Sequence, residues 1–492
     1  MVKLSQLLEA LKKKEVFGPQ DIEIREISYD SKRVKKNSLF VAIPGFRTDG
    51  HRFINEALLK GARAVVTEKK IPLGEGVTGI RVPDTRKALA LLADRFYHHP
   101  SGKIRLIGIT GTNGKTTTSY LIEAILTADK RGCGLLGTIA HKIGSKTIPA
   151  QITTPESLDL QSLLSQLVEK KIKYAVMEVT SHSLQLSRIE NVHFSIAVFT
   201  NLSIDHLDFH QTIENYLEVK TRLFTGLAKR AFAVINIDDP KSNYLRKRIP
   251  CSILTYGIEK KADVRARRID LSLEGSSFKV KTPGGELDID LFLPGEHNIY
   301  NALAAIGVSF LLKIPPAAIK KGLERIKNIP GRFERIDEGQ DFWVIVDYAH
   351  TDDALGRVLS TCRELTKGRV ILVFGCGGDR DRSKRPLMGE TAARHSGYTI
   401  ITNDNPRSEE PLSIISSIEV GMKRGGGRYT IILDRKEAIR KAIEEAGSGD
   451  IVLIAGKGHE TAQTIGTQVL PFDDREVARK ILRERESGKE DQ

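Results

Sequence analysis

The segment TGTNGKTT, residues 110–117, carries the strongest chemical signal in the chain. It follows an apolar run, RLIGIT (105–110), and leads into a helical pattern, TTTSYLIEAILTA. Glycines at 111 and 114 let the backbone curl so that its N–H groups converge on phosphate oxygens, and the helix N-terminus adds partial positive charge. In that setting Gly111, Thr112, Asn113, Gly114, Lys115, Thr116 and Thr117 form a nucleotide cradle. Lys115 neutralises the terminal phosphates and Thr116 offers a hydroxyl to Mg2+. The strict Walker sequence has glycine where this chain has Ile109, which points to a subfamily of the P-loop class. A glycine-rich structural turn is the competing reading, and the coincidence of strand, loop, GKT and helix weighs against it.

Three further positions could act beside such a loop. Glu178 ends the apolar run YAVMEV (174–179), at the sheet edge where open α/β sheets bind ligands. There it either holds Mg2+ on a nucleotide or caps the following helix. The segment NLSIDHLDFH (201–210) gathers two aspartates and two histidines, among them His206, with no cysteine nearby. Mg2+ suits that set better than Zn2+, although each histidine could equally be a core residue. In IENYLEVKTRLFTGL (213–227), Ile213, Leu217, Phe224 and Leu227 share one helical face, and Lys220 falls in the middle of it. A lysine there is either paired or chemically altered, because a lone buried ammonium is costly, or it snorkels to solvent.

The elements that must position these residues read as α/β throughout. A chain of 492 residues, with 40% hydrophobic and 28% charged residues, is long enough for about three globular domains. We place them at 1–98, 99–333 and 334–492. The first opens on a segment with leucines at 4, 7, 8 and 11, the spacing of an amphipathic helix, and continues through LFVAI (39–43) and ARAVV (62–66) as strands of a small α/β domain. The second, opening at a Pro-Ser-Gly break (100–102), alternates strand runs at 105–110, 174–179, 195–200 and 231–236 with helices. That alternation predicts a mainly parallel sheet covered on both faces. The third, after PGRFE (330–334), has five strand runs, FWVIVD, RVILVFG, YTIIT, YTIIL and DIVLIA, with helical patterns between them. It reads as Rossmann-like, but GCGGDR (375–380) does not match a dinucleotide fingerprint.

Four scattered cysteines without a CxxC pair argue against disulfides and a zinc ribbon. The opening segment lacks the apolar core of a signal peptide, and no run approaches a membrane span. The expectation is a cytoplasmic protein. A net charge of +14 favours anionic partners, yet the basic residues are dispersed and no stacking aromatics accompany them. A nucleic-acid-driven or non-catalytic P-loop ATPase is the rival class that charge alone would suggest.

Taken in order, TGTNGKTT, the MEVTSH segment, TNLSIDHLDFH, EHNIYNALAA (296–305), PGRFE and VDYAHT (346–351) resemble the successive motifs of the Mur ligases, over essentially the whole chain. These cytoplasmic enzymes build the peptide stem of peptidoglycan. The resemblance implies an N-terminal domain for a UDP-linked substrate, a central ATPase and a C-terminal domain that brings an amino acid. SYDSKRV with LFVAIPG, and TNDNPRSEEP (402–411), are similar to the members that add meso-diaminopimelate to UDP-MurNAc-L-Ala-D-Glu, forming ADP and phosphate.

Carried over by motif, the resemblance implies that Glu178, His206 and Thr116 hold Mg2+, and that Lys220 is carbamylated by CO2 and binds a second Mg2+. Asn298, Arg332 and Asp347 join the phosphate loop around ATP. Phe46, Arg47 and Thr48 fall among the residues that bind the UDP-linked substrate, and Tyr29 and Ser31 fall at the uridine end of the substrate. Thr153, Thr154, Thr180 and Arg188 fall at its muramoyl-peptide end. Some relatives have glutamine two residues before that arginine, where this chain has Leu186 with Gln185 beside it.

Diaminopimelate ends in an ammonium and a carboxylate, lysine in a bare ammonium, so an arginine in the pocket selects the first. The resemblance gives that part to Arg407, with Asp404, Asn405 and Pro406 before it, and gives a carboxylate to Arg385 and the distal ammonium to Gly456 and Glu460. A turn after Pro406 is the alternative reading of Arg407. The nearest rivals are superfamily ligases adding lysine or D-Ala-D-Ala, or extending folate. The expected protein is a monomer acting on small molecules, with no nucleic acid and no membrane insertion.

Overall fold

A computed structural model of the chain describes residues 1–45 and 48–490, with side chains through 485. Apolar runs form the middle of three sheets. The N-terminal sheet orders its strands Glu15–Phe17, Thr78–Arg81, Ala62–Thr67, Ser38–Val41 and Glu26–Ser28, parallel except for the first pair. Leu4, Leu7, Leu8 and Leu11 are all buried against it, but the opening helix spans only Leu4–Leu8. Lys12–Lys14 offer it no further apolar anchor, and Glu15–Phe17 pairs with Thr78–Arg81 instead.

In the central sheet, Tyr174–Glu178, Arg105–Thr110, Ile196–Phe199 and Phe232–Asn236 lie side by side and parallel. These are the four runs expected from sequence. The sheet grows to eleven strands, however, and both edges are antiparallel. One edge is the hairpin Ala140–Ile143 and Lys146–Pro149. The other is a meander of Val264–Ser272, Gly275–Thr282 and Gly285–Leu291. Helices Lys115–Ala128 and Glu296–Leu311 cover one face, and Ser157–Glu169 and Ile213–Thr225 the other.

The C-terminal sheet runs Glu334–Ile336, Trp343–Asp347, Ile451–Ala455, Val370–Phe374, Tyr398–Ile401 and Tyr429–Ile431, parallel except at the first strand. Among the described residues no helix is long and apolar enough to cross a membrane.

A buried ion pair stiffens this last unit. Arg435, at the start of helix Arg435–Glu445, forms a two-pronged pair with Asp474 at 2.8 and 2.7 Å, and both side chains are fully buried. The same guanidinium donates to the carbonyls of Ala455 and Asn403, so it ties two strand ends together. Removing one partner leaves a buried charge uncompensated, which costs about 3–5 kcal/mol. Asp474→Ala is therefore expected to lower stability by that amount in urea unfolding. A change below about 1 kcal/mol would show that water enters and solvates the arginine.

Candidate active site

The parallel strands of the central and C-terminal sheets end at a common cleft, where such sheets bind ligands. Strand Arg105–Thr110 delivers the phosphate loop. Gly111 and Gly114 have φ of +149° and +85°, and a Cβ at either would collide with Thr200 Oγ1 or Asn301 Oδ1. Only glycine fits both the angle and the space. The loop is braced from the strand beside it: Asn201 accepts from the backbone N–H of Thr112 and Asn113, and the Thr200 hydroxyl donates to Asn113 O. Lys115 folds back over this loop, its Nζ donating to Gly111 O at 2.9 Å and Thr112 O at 2.7 Å. Burial presses its ammonium below the usual lysine range, against the pull of Glu178 and Asp205.

Glu178 is completely buried and is not a helix cap, since Thr180 caps the helix that follows. It accepts from the Thr116 hydroxyl at 3.0 Å, the Thr138 hydroxyl at 2.8 Å and the Thr138 N–H at 2.9 Å. The Thr153 hydroxyl lies 3.1 Å from that of Thr138, and the Thr154 hydroxyl donates to Glu178 O. Thr180 Oγ1 lies 3.3 Å from Thr154 Oγ1. Glu178 thus links the phosphate loop to Thr153 through its carboxylate and Thr138, and to Thr154 and Thr180 through its main-chain carbonyl.

Lys220 is 1% exposed. Its Nζ donates to Gly111 O at 2.8 Å and lies 4.5 Å from the centre of the Tyr216 ring. No carboxylate pairs with it among the described residues, so the snorkelling alternative is excluded and the buried amine remains. Burial first, then the neighbouring Lys115, push its pKa far below that of a free lysine. His206 has a left-handed backbone, φ +55°, and its Nε2 lies 3.3 Å from Asp205. Burial holds the ring well below the usual histidine range, in the neutral form that can ligate a metal. His210, by contrast, is a buried core residue against Tyr216 and His182.

A cleft of about 350 Å3 opens between the two sheets, lined by Asn113, Gly114, Thr117, Asn298, Arg332 and Asp347 among others. Asn298 is fixed by Pro294 O and Asn301. Arg332 donates to Thr116 Oγ1 at 3.1 Å and lies 4.5 Å over the Tyr348 ring. Asp347 accepts from the N–H groups of Phe333 and Ala349, so it holds the polypeptide where one sheet gives way to the next. Sequence reasoning missed Asp353, which accepts from the Asn113 side chain at 2.9 Å and ties the phosphate loop to helix Asp352–Leu365.

At the far end of the C-terminal sheet, Asn405 donates to Glu460 at 2.9 Å, and the fully buried Lys457 donates to Asn405, Glu460 and Ala462 O. Gly456, at φ +113°, passes within Cβ distance of the Asp404 carboxylate, and the Pro406 carbonyl accepts from Glu409 N–H. Arg407 has φ +54° and donates to Gly378 O at 2.6 Å. Burial, then the like charge of Arg380, press its guanidinium below the usual arginine range. Arg385 departs from expectation. It is 1% exposed and locked in a bidentate pair with Glu409 at 3.1 and 2.9 Å, so its fork is already filled by a carboxylate of the chain itself. Arg380 stands close enough to Arg407 for their like charges to oppose. Lys457 sits between two glycines in AGKGHE, a signal that sequence reasoning passed over.

In the N-terminal sheet, the Tyr29 hydroxyl donates to Asp159 of the central helix Ser157–Glu169, and Ser31 donates to Glu56 at 3.0 Å. Thr48 is exposed and its carbonyl accepts from Gly45 N–H. Phe46 and Arg47 lie outside the described residues. Arg188 donates to Thr154 O at 3.2 Å and lies 3.3 Å from Glu156. Gln185 is exposed at the end of its short helix, and Leu186 is half-buried. Among the described residues no three His, Cys, Asp or Glu side chains form a ready-made metal site.

Fold and site define a phosphate-loop α/β protein whose nucleotide cleft is closed by a second, largely parallel sheet. Comparison with known proteins makes this specific. Family models described as "Mur ligase family, catalytic domain", "Mur ligase middle domain" and "Mur ligase, glutamate ligase domain" match residues 23–97, 109–309 and 331–458. The chain is 48% identical to the UDP-N-acetylmuramoyl-L-alanyl-D-glutamate–2,6-diaminopimelate ligase of Alkaliphilus metalliredigens, over 98% of both chains. It is 49% identical to the protein of that name in Syntrophomonas wolfei, over 98% of this chain and 99% of the relative. A solved structure of a ligase of the same name superposes with a TM-score of 0.69, at 33% identity and 99% coverage of each chain. The chain belongs to the Mur ligase family.

Proposed function

We propose that the protein is an ATP-dependent amide ligase that joins meso-diaminopimelate to UDP-MurNAc-L-Ala-D-Glu in the cytoplasm, with release of ADP and phosphate. On this reading residues 1–98 hold the UDP end, 99–333 bind ATP and the peptide, and 334–492 present the amino acid. The observation that carries it is the Glu178 node. The Glu178 carboxylate takes the Thr116 hydroxyl of the phosphate loop and the Thr138 hydroxyl beside Thr153, while its main-chain carbonyl takes Thr154 next to Thr180, so a γ-phosphate and a peptide carboxylate would meet beside it.

A carboxylate is a poor acyl donor. An oxygen of the D-Glu side chain attacks the γ-phosphorus, ADP departs, and an acyl phosphate results. The amine of diaminopimelate then attacks the acyl carbon and phosphate leaves. Lys115 and Arg332 offset charge on the transferring group. The hard-oxygen donors around Glu178 and Thr116 suit Mg2+, as does neutral His206, while a carbamate on Lys220 would add oxygens at a second position. Mg2+, when bound, screens the phosphate charge and aligns the nucleotide. Asn298 and Asp347 frame the nucleoside end. Tyr29, Ser31, Thr48 and Arg188 frame the UDP-linked substrate.

For the amino acid, Arg407 and Arg380 form a pair of guanidiniums under mutual repulsion, a site that an incoming carboxylate would relieve. Arg385 supports them by holding Glu409. Asp404, Asn405, Pro406, Gly456 and Glu460 shape the ammonium side. The test is phosphate release with UDP-MurNAc-L-Ala-D-Glu, comparing meso-diaminopimelate with L-lysine in the wild type and Arg407→Ala. The wild type is expected to turn over with diaminopimelate alone. A charged hydrogen bond is worth about 1.5–3 kcal/mol, so Arg407→Ala is expected to raise the diaminopimelate KM roughly 10- to 100-fold and leave the ATP KM nearly unchanged. An unchanged diaminopimelate KM would reduce the segment to a turn and return the amino acid to an unspecified one.

A further inference from the structure

Arg86 occupies an unfavourable place. It is in the first turn of helix Thr85–Phe96, where the helix dipole disfavours a cation, yet its side chain is only 14% exposed. Its contacts explain the placement. One arm of the guanidinium donates to Glu156 at 3.1 Å, and the other to Pro44 O at 2.9 Å. Glu156 also lies 3.3 Å from Arg188 Nε, and Arg188 donates onward to Thr154 O. A single carboxylate therefore stands between two guanidiniums, one from each domain, and the trio keeps one net positive charge.

Its surroundings join the two domains. Glu156 directly precedes helix Ser157–Glu169, whose Leu158 is buried in the N-terminal core and whose Asp159 receives the Tyr29 hydroxyl. The helix thus belongs to the central domain by sequence and is clamped to the N-terminal one by Arg86 and Tyr29.

We propose that Arg86 is a positioning residue for the UDP-linked substrate. Through Glu156 it orients Arg188 toward the anionic peptide end, and through Pro44 O it ties that end to the N-terminal domain that holds the UDP end. It fixes the spacing between the two halves of one extended substrate. This rests on the function proposed above.

The experiment is steady-state kinetics on the full chain for Arg86→Met, Arg86→Lys, Glu156→Gln and Arg86→Met/Glu156→Gln. Arg86→Met is expected to raise the KM for UDP-MurNAc-L-Ala-D-Glu about tenfold, with the ATP and diaminopimelate KM values within twofold of wild type. Arg86→Lys keeps the charge but cannot fork to two acceptors, so it recovers only part of the loss. Because Arg86 acts through Glu156, the double variant is expected to be no worse than the poorer single variant. Equal rises in all three KM values would indicate a merely structural role and overturn the proposal. So would an unchanged KM for the UDP substrate, or losses that multiply in the double variant. Should Arg86→Met fail to fold, Arg86→Lys and Glu156→Gln carry the same decision. Absence of turnover in the wild type would instead strike the proposed reaction, which keeps the two failures apart.

Discussion

Lys115→Ala is expected to lower ATP-dependent amide formation by about a thousandfold or more while the protein stays folded. The loss follows from where charge develops. As the γ-phosphoryl group moves, its oxygens carry charge that a fixed ammonium in a partly dry cleft stabilises, and removing one such donor typically costs about 100- to 1,000-fold. Lys115 supplies a full charge rather than a dipole, which puts the expected loss at the upper end. Folding is spared because the loop has other braces. Asn201 holds the backbone at Thr112 and Asn113, the Thr200 hydroxyl holds Asn113 O, and Lys220 holds Gly111 O. The substitution removes two hydrogen bonds from Lys115 to its own loop, worth about 1 kcal/mol each. Phosphate release and thermal unfolding, measured together, check both halves. Retention of a tenth of the wild-type rate would mean that the loop does not hold the transferring phosphates.

What could be read from the sequence follows the strength of burial. The runs at 105–110, 174–179, 195–200 and 231–236 are apolar on both faces because helices cover the sheet twice, so they stand out without any structure. The meander Val264–Leu291 does not. Its strands carry RARRIDLS, GSSFKVKT and GELDIDL, half-exposed sequences whose charges face solvent and mask the period of two. The order of strands in the sheets is likewise invisible in a linear pattern, since Ile451–Ala455 inserts between Trp343–Asp347 and Val370–Phe374, both far earlier in the chain.

The candidate site divides the same way. Residues of a contiguous motif such as the phosphate loop stay together in the fold, and Glu178, at a strand end beside it, meets it at Thr116. Partners chosen across long separations could not be read. Arg385 looks free in KRPLMG until Glu409 closes on it, and Asn113 meets Asp353 from a helix of the C-terminal domain. A single sequence records that these residues are polar, not which of them are already satisfied by one another.

Lys220 is where sequence and structure pose the same question, and its substitution should answer it. The helix face made the lysine anomalous, and the fold deepens the anomaly: Nζ is buried, its one hydrogen-bond acceptor among the described residues is Gly111 O, and Lys115 presses its charge off. A neutral amine of this kind is a nucleophile for CO2. On the proposed function the N–C bond would form with loss of a proton, and the anionic carbamate would supply two oxygens next to the phosphate loop. Lys220→Ala is therefore expected to abolish turnover, with no recovery in high bicarbonate and partial recovery with a small carboxylic acid that fills the vacated space. Lys220→Met separates chemistry from packing. It keeps the apolar stem, and replacing a costly buried amine by a thioether of similar volume is neutral or slightly stabilising, yet activity is expected to vanish equally. Gentle intact-mass measurement is expected to show one CO2 adduct on the wild type and none on either variant. Normal turnover in Lys220→Met would leave the buried lysine as a brace for Gly111 and nothing more.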